Sequence, residues 1–167
     1  MLRAFHKIYC SGHISGLTYK GCTDWYKELQ SHINSNIMLL APMRFKQFLN
    51  TGEIIQGTYE HELFGTTSSI YTRDIMDVRN CDMVVANLDL LPNKVSIGTV
   101  VEIAVAVELR IPVVLIMKDP KTNVHNHPFI TKMAGWIVPD VETAGRVING
   151  VCGEDYSLTY GTNDGKR

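Results

Sequence analysis

The chain reads as an α/β protein, a doubly wound, five-stranded parallel sheet with helices on both faces. Three observations predict it. Five short apolar runs, at 6–11, 36–41, 82–89, 112–118 and 135–138, are distributed along the chain. Two of them, Met83-Val84-Val85-Ala86 and Val113-Val114-Leu115-Ile116, are continuous rather than alternating. That pattern belongs to strands buried on both faces of a parallel sheet. Segments of helical character separate the runs, and strand alternating with helix is the order a doubly wound sheet requires.

The helical segments fall at about 23–34, 71–81, 97–110, 129–134 and 141–151. With the strands they make one flavodoxin-like or Rossmann-like domain over 1–152. In such folds ligands bind at the carboxyl ends of the strands, so the residues just after each strand are the ones to examine. Two stretches depart from the plan. Residues 43–70 form a connection longer than the ~12–15 residues usual for loops in compact domains. The connection carries Phe45, Phe48, Tyr59, His61 and Phe64 and reads as a partly helical lid or binding loop, with a plain surface insertion as the alternative. Residues 153–167 are polar and Gly-rich, as expected of a mobile tail or one docked on a neighbouring subunit.

Composition excludes several function classes. The 167 residues are 45% hydrophobic and 20% charged, which suits one globular domain with a real core. Asp and Glu total 17 against 16 Lys and Arg, a formal charge of −1. A chain so balanced lacks the basic field that binds nucleic acid polymers. No apolar run approaches the ~18–20 residues of a membrane helix. Lys7 interrupts the only apolar start that a secretory leader would use. Cys10, Cys22, Cys81 and Cys152 form no Cys-x-x-Cys pair and read as reduced structural thiols of a cytoplasmic protein.

Chemistry must then come from a few placed residues. After the first strand, Cys10-Ser11-Gly12-His13-Ile14-Ser15-Gly16 sets glycines around Ser and His, so that backbone N–H groups can converge on an anion such as phosphate. A plain strand-to-helix turn is the bland alternative. The third strand ends at Asn87-Leu88-Asp89 and leads through Pro92-Asn93 to Ser96-Ile97-Gly98-Thr99-Val100-Val101-Glu102. Glu102 is the only charge between Lys94 and Glu108, and Gly98, Thr99 and Ala106 give it small neighbours on its helical face. It is a candidate site carboxylate; equally, Thr99-x-x-Glu102 matches a capping box. Asp74, two turns before the end of its helix, can point back toward the site, whereas Asp77 reads as a solvated helix charge. A pair of carboxyl groups is the equipment for cleaving a glycosidic bond. His125 and His127 at i, i+2 lack a suitably spaced third ligand, so a structural or substrate-side role is expected and no metal.

These stretches, in this order, resemble the nucleoside 2-deoxyribosyltransferase family, including the related 2'-deoxynucleoside 5'-monophosphate N-hydrolases. Three motifs carry the resemblance: the segment from Ile8 to Gly16, Arg73-Asp74 followed by Asp82-Met83-Val84-Val85-Ala86-Asn87-Leu88, and Ser96-Ile97-Gly98-Thr99-x-x-Glu102. It implies an enzyme whose Glu102 attacks the anomeric carbon, expels the base and forms a glycosyl ester that another base or water then resolves. Asp74 would hold the leaving base or manage its proton, and Tyr9 would position Glu102. The implied substrate contacts are Ser11, Gly12, His13, Ile14, Ser15, Gly16, Asn87, Ser96 and Gly98, with Asn126 and His127 supplied by a neighbouring subunit. The working unit would be a homodimer or larger homo-oligomer, its ligands a nucleoside or nucleotide and a free nucleobase, with no cofactor, nucleic acid polymer or membrane involved.

One departure bears on substrate. Ser96 stands six residues before Glu102, where members acting on free nucleosides tend to carry an acid. A hydroxyl at a helix N-terminus favours a 5'-phosphate that an acid would repel. His13 and Ser15 differ from the Ser and Arg usual in the monophosphate hydrolases. The competing readings are an NAD glycohydrolase-like enzyme and a non-catalytic nucleotide-binding module.

Overall fold

A computed structural model describes residues 6–153, so residues 154–167 of the expected polar tail lie outside the described residues. Five strands, β1 (His6–Gly12), β2 (Ile37–Leu40), β3 (Met83–Asn87), β4 (Val113–Ile116) and β5 (Trp136–Val138), form one sheet in the order β2-β1-β3-β4-β5. All four pairings are parallel, with Gly12 beside Asn87 at the carboxyl end of the central pair. Every residue of β3 and β4 is buried, as their unbroken apolar runs require.

Five α-helices connect and cover the strands: α1 (Tyr19–His32), α2 (Thr67–Arg79), α3 (Ile97–Glu108), α4 (Pro128–Lys132) and α5 (Val141–Cys152). Successive side chains of a strand face opposite sides. Ile8 and Cys10 therefore join Met83, Val85, Trp25, Leu29 and Ile148 in a core beneath α1 and α5. Tyr9 faces the other way, with Val84, Ala86, Leu115, Val78, Ile103 and Ala106, beneath α2 and α3. Strand order reverses between β1 and β3, which opens a crevice at their carboxyl ends.

Two helices begin earlier than their apolar patterns predict. Thr18 caps α1, its hydroxyl accepting from the Gly21 N–H, and Thr66 caps α2, accepting from the Ser69 N–H. Both first turns are polar and so invisible to hydrophobic periodicity. The connection before α2 thus ends at Thr66. A short 3-10 turn at Gln47–Leu49 and an antiparallel bridge between Thr18 and Ile54 give it structure. The Gly16 N–H donates to the Ile55 carbonyl and the Ile55 N–H to the Leu17 carbonyl, at 2.9 and 2.8 Å. Met43 and Ile55 pack with Cys22 in a small separate cluster. The segment is therefore held against the loop that follows β1.

Candidate active site

The crevice at the β1/β3 switch is a cavity of about 490 Å³, within the size range that holds small ligands. Five elements build it: the loop after β1, the 41–66 connection, α2, the loop between β3 and α3, and the first turns of α3. Two larger surface grooves, of about 730 and 710 Å³, lie elsewhere and are mainly apolar. Polar and titratable groups converge in the smaller cavity.

Glu102 stands on its wall, 9% exposed, and its carboxylate is held at both oxygens. The Tyr9 hydroxyl donates to Oε1 at 2.8 Å, and the Ser11 hydroxyl donates to Oε2. The sheet explains the pairing: Tyr9 and Ser11, two residues apart on β1, point to the face that α3 covers. The capping-box alternative is overturned. Helix α3 starts at Ile97 with Ser96 as its cap, whose Oγ accepts from the Thr99 N–H, and the side chain of Glu102 turns inward. Burial pushes its carboxyl group up to about 7, and the Asp74 charge adds to the rise, while the Ser11 and Tyr9 hydrogen bonds oppose it.

Asp74, 7% exposed, lines the same cavity from α2, and its Oδ1 has no hydrogen-bond partner. Burial raises it to about 6, with nearby Lys46 and Arg73 pulling the other way. A further hollow of about 240 Å³ touches both carboxyl groups.

Asp77 corrects an expectation. It is buried rather than solvated, and Arg44 grips it with both guanidinium nitrogens, Nη2 reaching Oδ1 at 2.8 Å. The connection folds back across α2 and brings Arg44 within reach, which 33 residues of separation conceal. Arg73 donates to the Arg44 carbonyl at 2.7 Å and completes the tie.

The same cavity is lined by Gly12, His13, Ile14, Ser15, Lys94, Ser96 and Gly98. His13 is 5% exposed, and neither ring nitrogen has a partner. Burial holds its ring neutral, helped by the neighbouring His125 and Lys94. Gly16 does not line the cavity; its φ of +93° makes the turn that closes the loop, a conformation glycine adopts without strain. A Cβ on Gly12 would press on the Asn87 carbonyl at 3.3 Å, so the two strand ends touch through a glycine. Asn87 itself is buried and caps a turn, accepting from the Asp89 N–H at 3.0 Å.

His125 fixes the N-terminus of α3. Its Nε2 accepts from the Ser96 N–H at 2.9 Å, which leaves Nδ1 to donate to Asn123 Oδ1, also at 2.9 Å. Asn123 in turn donates to the Leu88 carbonyl at 2.9 Å. Asn126 and His127 lie outside the cavity of their own chain. His127 caps α4, accepting from the Phe129 N–H, and borders the larger apolar groove. Among the described residues no group of three or more His, Cys, Asp or Glu is placed to hold a metal.

Sequence reasoning missed Lys46, Lys94 and the role of His125, and it named Tyr59 only as an aromatic of the connection. Lys94 stands two residues before the α3 cap, a signal that was available. Nothing local marks Lys46.

Comparison with known proteins agrees with this picture. A family model described as nucleoside 2-deoxyribosyltransferase matches residues 19–158, most of the chain, beginning after the strand that carries Tyr9 and Ser11. No curated protein matches. Among solved structures, a conserved protein from Enterococcus faecalis V583 superposes with a TM-score of 0.65 at 19% identity, covering 89% of this chain and 99% of that one. A 2-deoxyribosyltransferase from Bacillus psychrosaccharolyticus gives 0.56 at 17% identity, covering 83% and 90%. The molybdenum cofactor binding protein from Rippkaea orientalis gives 0.55 at 16% identity, covering 88% and 97%. At these identities the likeness is one of fold.

Proposed function

The chain belongs to the nucleoside 2-deoxyribosyltransferase family, and from that premise we propose that it cleaves the N-glycosidic bond of 2'-deoxynucleosides or their 5'-monophosphates through a covalent glycosyl–Glu102 ester. One observation carries the reading: a buried carboxylate held at both oxygens by Tyr9 and Ser11 on the wall of a ligand-sized cavity. The two hydroxyls fix its orientation and favour its ionised form, which is what a nucleophile attacking the anomeric carbon needs. Asp74 faces the leaving base and manages its proton. A second base or water then attacks the ester from the opposite side, so the product keeps the starting configuration.

The same cavity supports the 5'-monophosphate as substrate. His13 offers unpartnered ring nitrogens, Lys94 a cation, and Ser96 a hydroxyl at the N-terminus of a twelve-residue helix, the combination that favours a phosphate. Residues 43–66 act as a lid over this substrate, and Asn126 and His127 reach the site of a second subunit in a homo-oligomer. Four free, buried cysteines support a reducing, cytoplasmic setting.

The test is incubation with deoxynucleosides and dNMPs, with and without an acceptor base. Base release is expected from wild type and not from Glu102→Ala. Mass spectrometry of quenched wild type should find the sugar esterified to Glu102. Equal release by both proteins removes the nucleophile assignment. Tight nucleotide binding with no turnover over hours turns the reading to a binding module, and release of nicotinamide from NAD turns it to a glycohydrolase of that dinucleotide.

A further inference from the structure

Lys46 is the most unusual residue near the site. A lysine is almost never fully buried without a partner, yet Lys46 is 2% exposed and lines the catalytic cavity. Among the described residues its ammonium makes no hydrogen bond or ion pair; it lies over the Tyr59 ring, 5.3 Å from the centroid. The backbone is contorted to place it. Phe45, the preceding residue, has a φ of +61° and is 77% exposed, so the chain turns outward and then sharply inward. A bulky side chain rarely adopts that conformation, and such outliers gather at ligand sites.

Two more unsatisfied groups share the cavity. The Tyr59 hydroxyl and Asp74 Oδ1 are both buried and have no hydrogen-bond partner. The Lys46 charge acts on Asp74 and on Glu102, whereas Lys94 acts on His13. Both lysines thus line one cavity, Lys46 with Asp74 and Glu102 as electrostatic neighbours and Lys94 with His13. With the sugar at Glu102 and the phosphate toward Lys94, the base falls against Lys46, Tyr59 and Asp74.

We propose that Lys46 stabilises the departing base as an anion, which makes pyrimidine 2'-deoxynucleotides, whose ring carbonyl flanks the glycosidic nitrogen, the substrate class. This inference rests on the glycosyl-transfer reading of the same site. As the Glu102 oxygen bonds to the anomeric carbon, the carbon–nitrogen bond breaks and its electron pair stays on the base. The charge spreads to the flanking carbonyl oxygen, and the Lys46 ammonium donates a hydrogen bond to that oxygen. The bond breaks before a proton arrives, and Asp74 then handles the proton that neutralises the departed base. Lysine offers three donors and no acceptor, so it suits an oxygen that is gaining charge. A purine has no carbonyl beside its glycosidic nitrogen and departs most easily when protonated, a cationic form that Lys46 repels. Burial lowers the tendency of Lys46 to hold its proton, and the neighbouring Arg73 and Arg44 charges add to that, while the Asp74 carboxyl group works to keep it charged.

The experiment measures base release from dUMP, dTMP, 5-fluoro-dUMP, dAMP and dGMP by wild type, Lys46→Gln and Lys46→Arg. Wild type is expected to favour the pyrimidines. Lys46→Gln should lose roughly 100-fold in kcat on dTMP, as for a lost transition-state donor, and much less on 5-fluoro-dUMP, whose base is the more stable anion. Its loss on purines should be smaller still, and Lys46→Arg should restore part of the pyrimidine rate. An equal loss on every substrate, a loss confined to KM, or a purine preference in wild type overturns the assignment while leaving the glycosidase reading intact. No base release from any substrate by wild type removes both.

Discussion

Replacing Glu102 by Gln should abolish turnover and, at the same time, stabilise the protein at alkaline pH. The magnitude follows from the burial of the carboxyl group. In the unfolded chain Glu102 titrates at its ordinary value of 4.5, and in the fold at about 7. Between those values the folded state keeps a proton that the unfolded state has lost, so stability falls as pH rises. The contribution is fully present below about 4.5 and fully lost above about 7. A shift of this size corresponds to about 3 kcal/mol at 1.36 kcal/mol per unit. Glutamine preserves the shape and still accepts from Tyr9, while its amide can donate to the Ser11 oxygen, so the hydrogen bonds survive the exchange. Urea titrations of wild type and Glu102→Gln at several pH values from 5 to 8 provide the measurement. The two proteins should be close in stability at pH 5, and the variant should be ahead at pH 8 by up to about 3 kcal/mol, or roughly 6–12 °C in Tm for a domain of this size. Parallel stability curves across that range would show that Glu102 is not a buried, titrating carboxylate, and the nucleophile assignment would lose its electrostatic basis.

Tyr9→Phe removes a hydrogen bond that favours ionised Glu102, so kcat/KM should fall about 10–100-fold and the acidic limb of the pH profile should move to higher pH. An unmoved limb would mean that Tyr9 does not tune Glu102. Lys94→Met should raise the KM for dNMPs at least about tenfold, the equivalent of one lost phosphate contact, with a much smaller effect on deoxynucleosides; equal effects on both would remove Lys94 from phosphate binding. Arg44→Ala leaves Asp77 buried without its partner and should cost about 2–3 kcal/mol, below the range for fully buried pairs because Arg44 is partly exposed. In the cycle with Asp77→Ala the double variant should cost less than the two single losses combined, and simple additivity would mean that the pair contributes nothing.

Most of the fold was legible because its signals are local. The unbroken apolar runs of β3 and β4 admit only a sheet covered on both faces, and the helices between them follow. The parts that sequence reading misplaced have no apolar signature. The first turns of α1 and α2 are polar and are set by threonine caps. Glu102 stood out because it interrupts an otherwise apolar helix and Asp74 because it sits two turns before the end of its own, whereas Tyr9 was named only through the family resemblance. Asp77 and Lys46 did not stand out, since each depends on how the 41–66 connection folds back over α2. That path is decided by tertiary contacts, Met43 and Ile55 against Cys22 and Arg44 against Asp77, which no local pattern encodes.

The formal charge of −1 says little about such a site, because the fold separates what composition averages. Helix α3 does most of the separating. Its N-terminus, with Ser96 held by His125, is a place for an anion, and six residues further along, about 9 Å at the helical rise, Glu102 faces β1. On the proposed reading, one rigid element thus sets the spacing between a phosphate subsite and a nucleophile. The connection sets the other half. It brings a second cation, Lys46, to the side of Asp74, at the cost of a strained Phe45 and a buried lysine side chain whose ammonium lies over the Tyr59 ring. A fold that only had to bind a neutral nucleoside would gain nothing from that arrangement. A fold that must let a base depart with negative charge, next to the Asp74 carboxyl group, has a physical reason to keep it.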